Sequence, residues 1–140
     1  MSKLIILKGL PGSGKSTYAR KLALASPNDL IIVNRDNIRS MLGKYWVPSR
    51  EELVSTIEYS MIYEALNSGY EVIVDATNLN PKTIKKLEKF KPIASLEYKE
   101  FNTPFWLCVW RDWKRGLFGG RKVGYKVIKK FYDKYYKNQR

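Results

Sequence analysis

Gly9, Gly14, Lys15 and Ser16 stand at the spacing Gly-x-x-x-x-Gly-Lys-Ser, directly after the apolar run Leu4-Ile5-Ile6-Leu7. That is the Walker A pattern of a phosphate-binding loop, and each position has a mechanical reason when a strand precedes it and a helix follows. Glycines at 9, 12 and 14 open backbone conformations closed to residues with a Cβ, so successive N–H groups can turn towards an anion. Lys15 reaches the β- and γ-phosphates, Ser16 offers a hydroxyl to Mg²⁺, and a helix starting there aims its positive end at the phosphates. Gly12, Ser13, Gly14, Lys15, Ser16 and Thr17 are the expected nucleotide-binding set, with Ser16 the metal residue.

Transfer of a γ-phosphoryl to a hydroxyl also needs an anion that orients the hydroxyl and takes its proton, and cations over the phosphates. Asp36, just after the apolar stretch Leu30–Val33, is the candidate base, with helix capping as its plainer role. Asp75 ends the run Glu71-Val72-Ile73-Val74. It reads either as a metal-side carboxylate or as an acceptor-side residue positioning Arg39, with simple capping as the third reading. Arg111 and Arg115, four apart, are the candidates for in-chain arginines that neutralise the migrating phosphoryl. Lys15, Asp36 and Arg115 form the expected catalytic set. Tyr45 and Trp46 are placed to stack on a nucleobase or to pack in the core.

Those residues need a scaffold, and strand and helix patterns alternate to supply one. Residues 3–8 are apolar through their centre, the mark of a parallel strand covered on both faces. A helix over 15–25, a strand over 30–34, a short helix from Arg35 to near Gly43 and a long helix to about Ser68 follow. Ser49-Arg50-Glu51-Glu52 reads as a capping box for the long helix, whose inward stripe is expected at Leu53, Ile57, Met61 and Ala65, widened by Val54, Ile62 and Leu66. After the strand 71–75, Asn80-Pro81 begins a helix to Phe90, and residues 94–101 form a fourth strand. Thr103-Pro104 repeats the cap-plus-proline device. Gly116–Gly124 has the composition of a mobile lid, and a last helix turns Val127, Ile128, Phe131, Tyr132 and Tyr135 inward. The sum is an α/β, three-layer P-loop NTPase fold with a βαβαβ core, a mainly parallel sheet of four to five strands and a C-terminal helical lid. Ligands of such sheets bind beyond the carboxyl ends of the strands, which brings Lys15, Asp36 and Asp75 to one cleft.

The 140 residues suit one domain, 1–140. The net charge is +13, and residues 82–140 hold 17 basic against 5 acidic side chains, whereas 1–81 hold 9 against 8. Nearly all the excess is C-terminal, which favours a polyanionic partner over a merely solvated surface. The single Cys108 excludes an internal disulfide and, without any histidine, a zinc site. The apolar runs are far too short for a membrane span or a signal peptide, so a cytoplasmic protein with no membrane partner is expected, the cytoplasm of an infected host included.

The stretches NRDNIR (34–39), DATNLNP (75–81) and R-x-x-x-R-G (111–116) carry a resemblance to the kinase domain of the bacteriophage polynucleotide 5′-hydroxyl kinases, and more distantly to P-loop kinases at large. The resemblance implies transfer of the γ-phosphoryl of ATP or another NTP, with Mg²⁺, to the 5′-OH end of single-stranded or end-exposed DNA or RNA. It implies that Asp36 is the general base, that Arg39 and Asp75 bind the acceptor, and that Arg115 with Arg111 belongs to the lid over the donor phosphates. The phage enzymes carry a phosphatase domain. No DxD acid pair occurs in this sequence, so a 3′-phosphatase or ligase partner is expected to be a separate chain. Homo-oligomers are common in the family. Segment 116–124 is longer and richer in glycine than the family pattern, and lid contacts from Arg121 and Lys122 are not assigned. A small-molecule or nucleoside kinase, or a nucleic-acid-binding NTPase, are the alternatives.

Overall fold

The protein is described by a computed structural model covering residues 1–119 and 122–137. Strands β1 (Lys3–Gly9), β2 (Leu30–Asn34), β3 (Glu71–Asp75) and β4 (Ser95–Phe101) form one sheet in the order β2-β3-β1-β4, every pair parallel. β1 and β3 are interior, and their centres, Leu4–Leu7 and Val72–Val74, are continuous apolar runs that are covered on both faces. Side chains alternate along each strand, so one residue in two serves each face. Leu4, Ile6, Val33, Val72 and Val74 lie in one buried cluster, and Leu7, Leu30 and Ile73 in another. The register Ile5↔Ile73↔Ile32 holds the faces in step.

Helix α1 (Lys15–Ala25) covers the second face through Ala19, Tyr18 and Leu22. Helices α2 (Arg35–Met41), α3 (Glu51–Asn67) and α4 (Pro81–Leu87) cover the first through Ile38, Val54, Ile62, Leu66 and Leu87. The result is the expected three-layer α/β architecture with four strands. Helices α5 (Phe105–Leu117) and α6 (Tyr125–Tyr135) pack on each other around Cys108, Ile128 and Leu10, Leu10 being a residue of the phosphate-binding loop. No helix among the described residues is long and apolar enough to cross a membrane.

Local expectations fail in four places. The capping box does not form: a 3₁₀ turn over Pro48–Arg50 leads into α3, Arg50 is the cap residue, and no side chain caps the helix. Pro48 starts that turn, so Ser49 lies inside it. The inward stripe of α3 is rotated to Val54, Glu58, Ile62, Ala65 and Leu66, leaving Leu53 and Met61 exposed. A buried glutamate on that stripe displaced the apolar count by one residue. Thr103 does not cap α5. Pro104 holds the cap position, and the Thr103 hydroxyl is used elsewhere. In α6, Val127 is exposed and Ile128 is the buried residue. Of the expected lid, Gly116 and Leu117 still belong to α5, and positions 120 and 121 lie outside the described residues.

Candidate functional site: the donor loop and the acceptor wall

The loop between β1 and α1 is built from main-chain contacts. Gly12 has φ +82°, and a Cβ there would lie 2.6 Å from the carbonyl oxygen of Cys108 on α5. Only glycine fits that combination of left-handed backbone and close approach. Gly14 has φ +101° at the N-cap of α1, where no side chain caps the helix, so the first-turn N–H groups point into the loop. The amide of Gly9 donates to Thr77 O at 3.0 Å and the Thr103 hydroxyl donates to Ser13 O at 2.8 Å. The loop is thus fastened on one side by the β3–α4 connection and on the other by the start of α5.

Lys15 is buried and its Nζ donates to Leu10 O at 2.7 Å, Gly9 O at 3.0 Å and Ser13 Oγ at 3.3 Å. Burial lowers its pKa from 10.5 to about 8, with the Asp75 and Asp36 carboxylates opposing the shift and the Arg115 charge adding to it. Ser13 is buried, while Ser16 and Thr17 are exposed on the first turn of α1. The Ser16 hydroxyl donates to Asp75 Oδ2 at 2.7 Å, and Asn34 Nδ2 donates to the same oxygen at 2.9 Å. Asn34 in turn caps α2 by accepting from Asn37 N at 3.0 Å. A continuous chain of bonds therefore runs from the phosphate-binding loop through the end of β3 to the helix that carries Asp36. Ser16 and Asp75 supply adjacent hard oxygens, a donor pair that fits Mg²⁺ held by few protein ligands.

The opposite wall is made of side chains. Asp36, in the first turn of α2, accepts at Oδ1 from Arg39 Nη1 at 2.9 Å and from the Tyr45 hydroxyl at 2.6 Å. Arg39 gives its Nε and Nη2 edge to Glu51 at the start of α3, and its guanidinium lies 5.9 Å from the Tyr45 ring centroid and 5.5 Å from that of Trp46. Arg35 reaches Glu51 at 3.4 Å and the buried Glu58 at 3.7 Å. Burial penalises the Arg39 charge, but the bonds to Glu51 more than offset it and raise its pKa, and they lower that of Glu51. Burial pushes the Glu58 carboxyl up, and its Oε2 has no hydrogen-bond partner among the described residues.

Lys15, Ser16, Asp36 and Asp75 are thus brought to one end of the sheet. Among the described residues Asp75 bonds Ser16 and Asn34, whereas Arg39 is held by Glu51 and Asp36, so the two are not paired with each other. On α5, Arg111 Nη1 lies 3.5 Å from Gly12 O. Arg115 is one turn on, bonded to Asp112 Oδ1 at 3.1 Å and close enough to depress the Lys15 pKa. Asp112 is buried and also accepts from Val123 N at 2.7 Å and Gly124 N at 2.9 Å, which ties α5 to the beginning of α6.

Four residues escaped the sequence reading. In the sequence Glu51 reads as part of a capping box, and no spacing announces its pairing with Arg39 across twelve residues. Glu58 was hidden in an amphipathic count. Asp112 sits between Arg111 and Trp113 with no motif of its own. Asn78, buried with φ +48°, donates to Leu7 O at 2.6 Å and locks β1 to the loop after β3. Its tolerance of left-handed backbone was the available signal.

Residues 4–136 match the family model described as AAA domain. The chain is 34% identical over 137 residues to L-seryl-tRNA(Sec) kinase of Methanococcus maripaludis, covering 94% of this chain and 52% of that protein. It is 29% identical over 102 residues to a protein of Autographa californica nuclear polyhedrosis virus provisionally named as a bifunctional polynucleotide kinase/RNA ligase, covering 62% of this chain and 14% of that protein. Among solved structures it matches a chain of the Pnkp1/Rnl/Hen1 RNA repair complex with TM-score 0.83 and 31% identity, over 93% of this chain and 42% of that one. The chain therefore spans about half or less of the length of these relatives. With its phosphate-binding loop, parallel sheet and flanking helices in the arrangement described, the chain belongs to the AAA domain family and has the P-loop kinase fold.

Proposed function

We propose that the protein transfers the γ-phosphoryl of ATP or another NTP to the 5′-hydroxyl end of DNA or RNA. The observation that carries this reading is the bonded chain Ser16–Asp75–Asn34, which fixes the Asp36 helix against the donor loop at the carboxyl end of the sheet. In the reaction the acceptor oxygen bonds to the γ-phosphorus, the bond to the β–γ bridging oxygen breaks, and a nucleoside diphosphate leaves. Asp36 takes the hydroxyl proton. Arg39, held from behind by Glu51, presents its charge on the acceptor side. Lys15, Arg111 and Arg115 face the phosphates, where a bound Mg²⁺ at Ser16 and Asp75 would supply further charge neutralisation. The contacts of Asp75 support the metal-side role over the acceptor-side role.

The basic surplus in residues 82–140 supports a polyanionic acceptor over a small metabolite. A second reading, a hydroxyl of the seryl group on a tRNA, is favoured by the 34% identity to the seryl-tRNA kinase. Both are tested by offering γ-labelled ATP with a 5′-hydroxyl oligonucleotide, a seryl-tRNA, or a nucleoside. Label is expected in the oligonucleotide, and Asp36→Asn should lower turnover by ~10²- to 10⁴-fold while leaving nucleotide affinity near that of the wild type. Label in the seryl-tRNA alone selects the second reading, and label in the nucleoside alone removes both.

A further inference from the structure

The outer face of α5 takes no part in the site above. Trp106, Trp110 and Trp113 recur at intervals of four and three, which aligns them on one face of the helix, and they are 69%, 50% and 50% exposed. Three of the chain's four tryptophans thus meet solvent in one row, on a helix whose other faces bury Cys108 and Asp112 and reach the donor loop with Arg111. Large exposed apolar rows of this kind mark interaction surfaces.

Charge identifies the partner. Over 105–119 and 122–137 there are nine lysines and arginines and only two carboxylates. Asp112 is buried beneath Arg115 and the start of α6, and Asp133 is bonded to Lys129 at 2.8 Å. Lys114 Nζ itself lies 5.0 Å from the Trp110 ring centroid. A second copy of the chain would bring another +13 to this surface. A single nucleic-acid strand brings phosphates to the cations and a flat π face in every base, whatever its sequence. From Trp106 to Trp113 the helix rises ~10 Å, the span of about three stacked nucleotides.

We infer that the Trp106–Trp110–Trp113 face is a stacking platform that holds single-stranded nucleic acid outside the phosphoryl-transfer site. The inference rests on the reading that the acceptor is a nucleic acid. It is tested by fluorescence anisotropy on the full chain at low ionic strength, using a dye-labelled RNA of roughly 12 nucleotides whose 5′ end is already phosphorylated. Trp110→Ala should weaken binding by ~5- to 150-fold, the triple alanine variant more, and Trp110→Phe should keep most of the affinity because the π face survives. Thermal unfolding checks each variant, and the Ala–Phe pair at 110 carries the test if the triple variant does not fold. Equal affinity in wild type and Trp110→Ala overturns the platform. So does loss of a concentration-dependent dimer in sedimentation with RNA affinity unchanged, which would make the row a contact between copies. Binding lost in the alanine variants, with no transfer to 5′-hydroxyl RNA by the wild type, leaves the platform standing and removes the kinase reading. Transfer with binding unaltered in the variants does the reverse.

Discussion

The donor loop and the acceptor wall face each other across the end of the sheet but are held by different kinds of bond. In the loop most partners are main-chain atoms: Lys15 on the carbonyls of Gly9 and Leu10, Thr103 on that of Ser13, and Gly12 against that of Cys108. In the wall the partners are charged side chains, with Arg39 between Asp36 and Glu51, and Arg35 between Glu51 and Glu58. Main-chain contacts leave residue choice free except where glycine or a short polar side chain is demanded. Side-chain pairs tie the identity of each residue to that of its partner. The difference suits the proposed division of labour, in which the donor phosphates are common to many enzymes and the acceptor varies.

The sharpest test of the division is Arg115, which belongs to neither set. As a cation over the migrating phosphoryl, its replacement by alanine should reduce kcat by ~10³- to 10⁵-fold with the fold intact, read by steady-state kinetics and circular dichroism. If its task is only to partner Asp112, kcat will hold and the melting temperature will fall instead. Next in size, Glu51→Ala removes the bonds that orient Arg39. The acceptor KM is expected to rise by ~10-fold or more with nucleotide KM unchanged, since hydrogen bonds to charged groups are at stake on one wall only. A matching loss of nucleotide affinity would show that the two regions are one mechanical unit.

The smallest effect is a proton. Because Lys15 sits near a pKa of about 8 within the loop, nucleotide phosphates should restore its charge, and binding should take up a fraction of a proton between about pH 8 and 9 and almost none near pH 6. Calorimetry in two buffers of different ionisation enthalpy measures this, and Lys15→Met should remove it. The same shift acts on stability. The unfolded chain binds the extra proton between about 8 and 10.5, so the Lys15 contribution to stability rises with pH through that window and is most unfavourable below it. Proton uptake unchanged in Lys15→Met would show that Lys15 is not the group that titrates on binding.

The same contrast decides what could be read from the sequence. The loop was legible because its backbone demands place glycines and a lysine at fixed offsets, and the sheet because β1 and β3 are apolar on both faces. The three layers followed from alternation of strand and helix, but the strand order β2-β3-β1-β4 did not. Asp36, Arg39 and Asp75 stand out in the sequence by their places at or after strand ends, but the partners that hold them do not. Glu51 and Glu58 are joined to the wall only after α3 folds back on α2, a contact with no local period. The rotation of α3 has the same origin, since an inward glutamate is paired in space and reads as polar in sequence. Thr103 was misassigned because its use, the carbonyl of Ser13, lies ninety residues away.

The burial of Cys108 has a kinetic consequence. It is the chain's only thiol, it is inaccessible to solvent, burial pushes its pKa up, and its own carbonyl closes against Gly12. A thiol reagent can reach it only when its packing against Leu10 and Ile128 opens, so its rate of labelling is a built-in clock for that opening. If a nucleotide draws Arg111 and Arg115 onto its phosphates as proposed, it would slow the clock, and one native sulfur would report how firmly the nucleotide holds α5 to the loop.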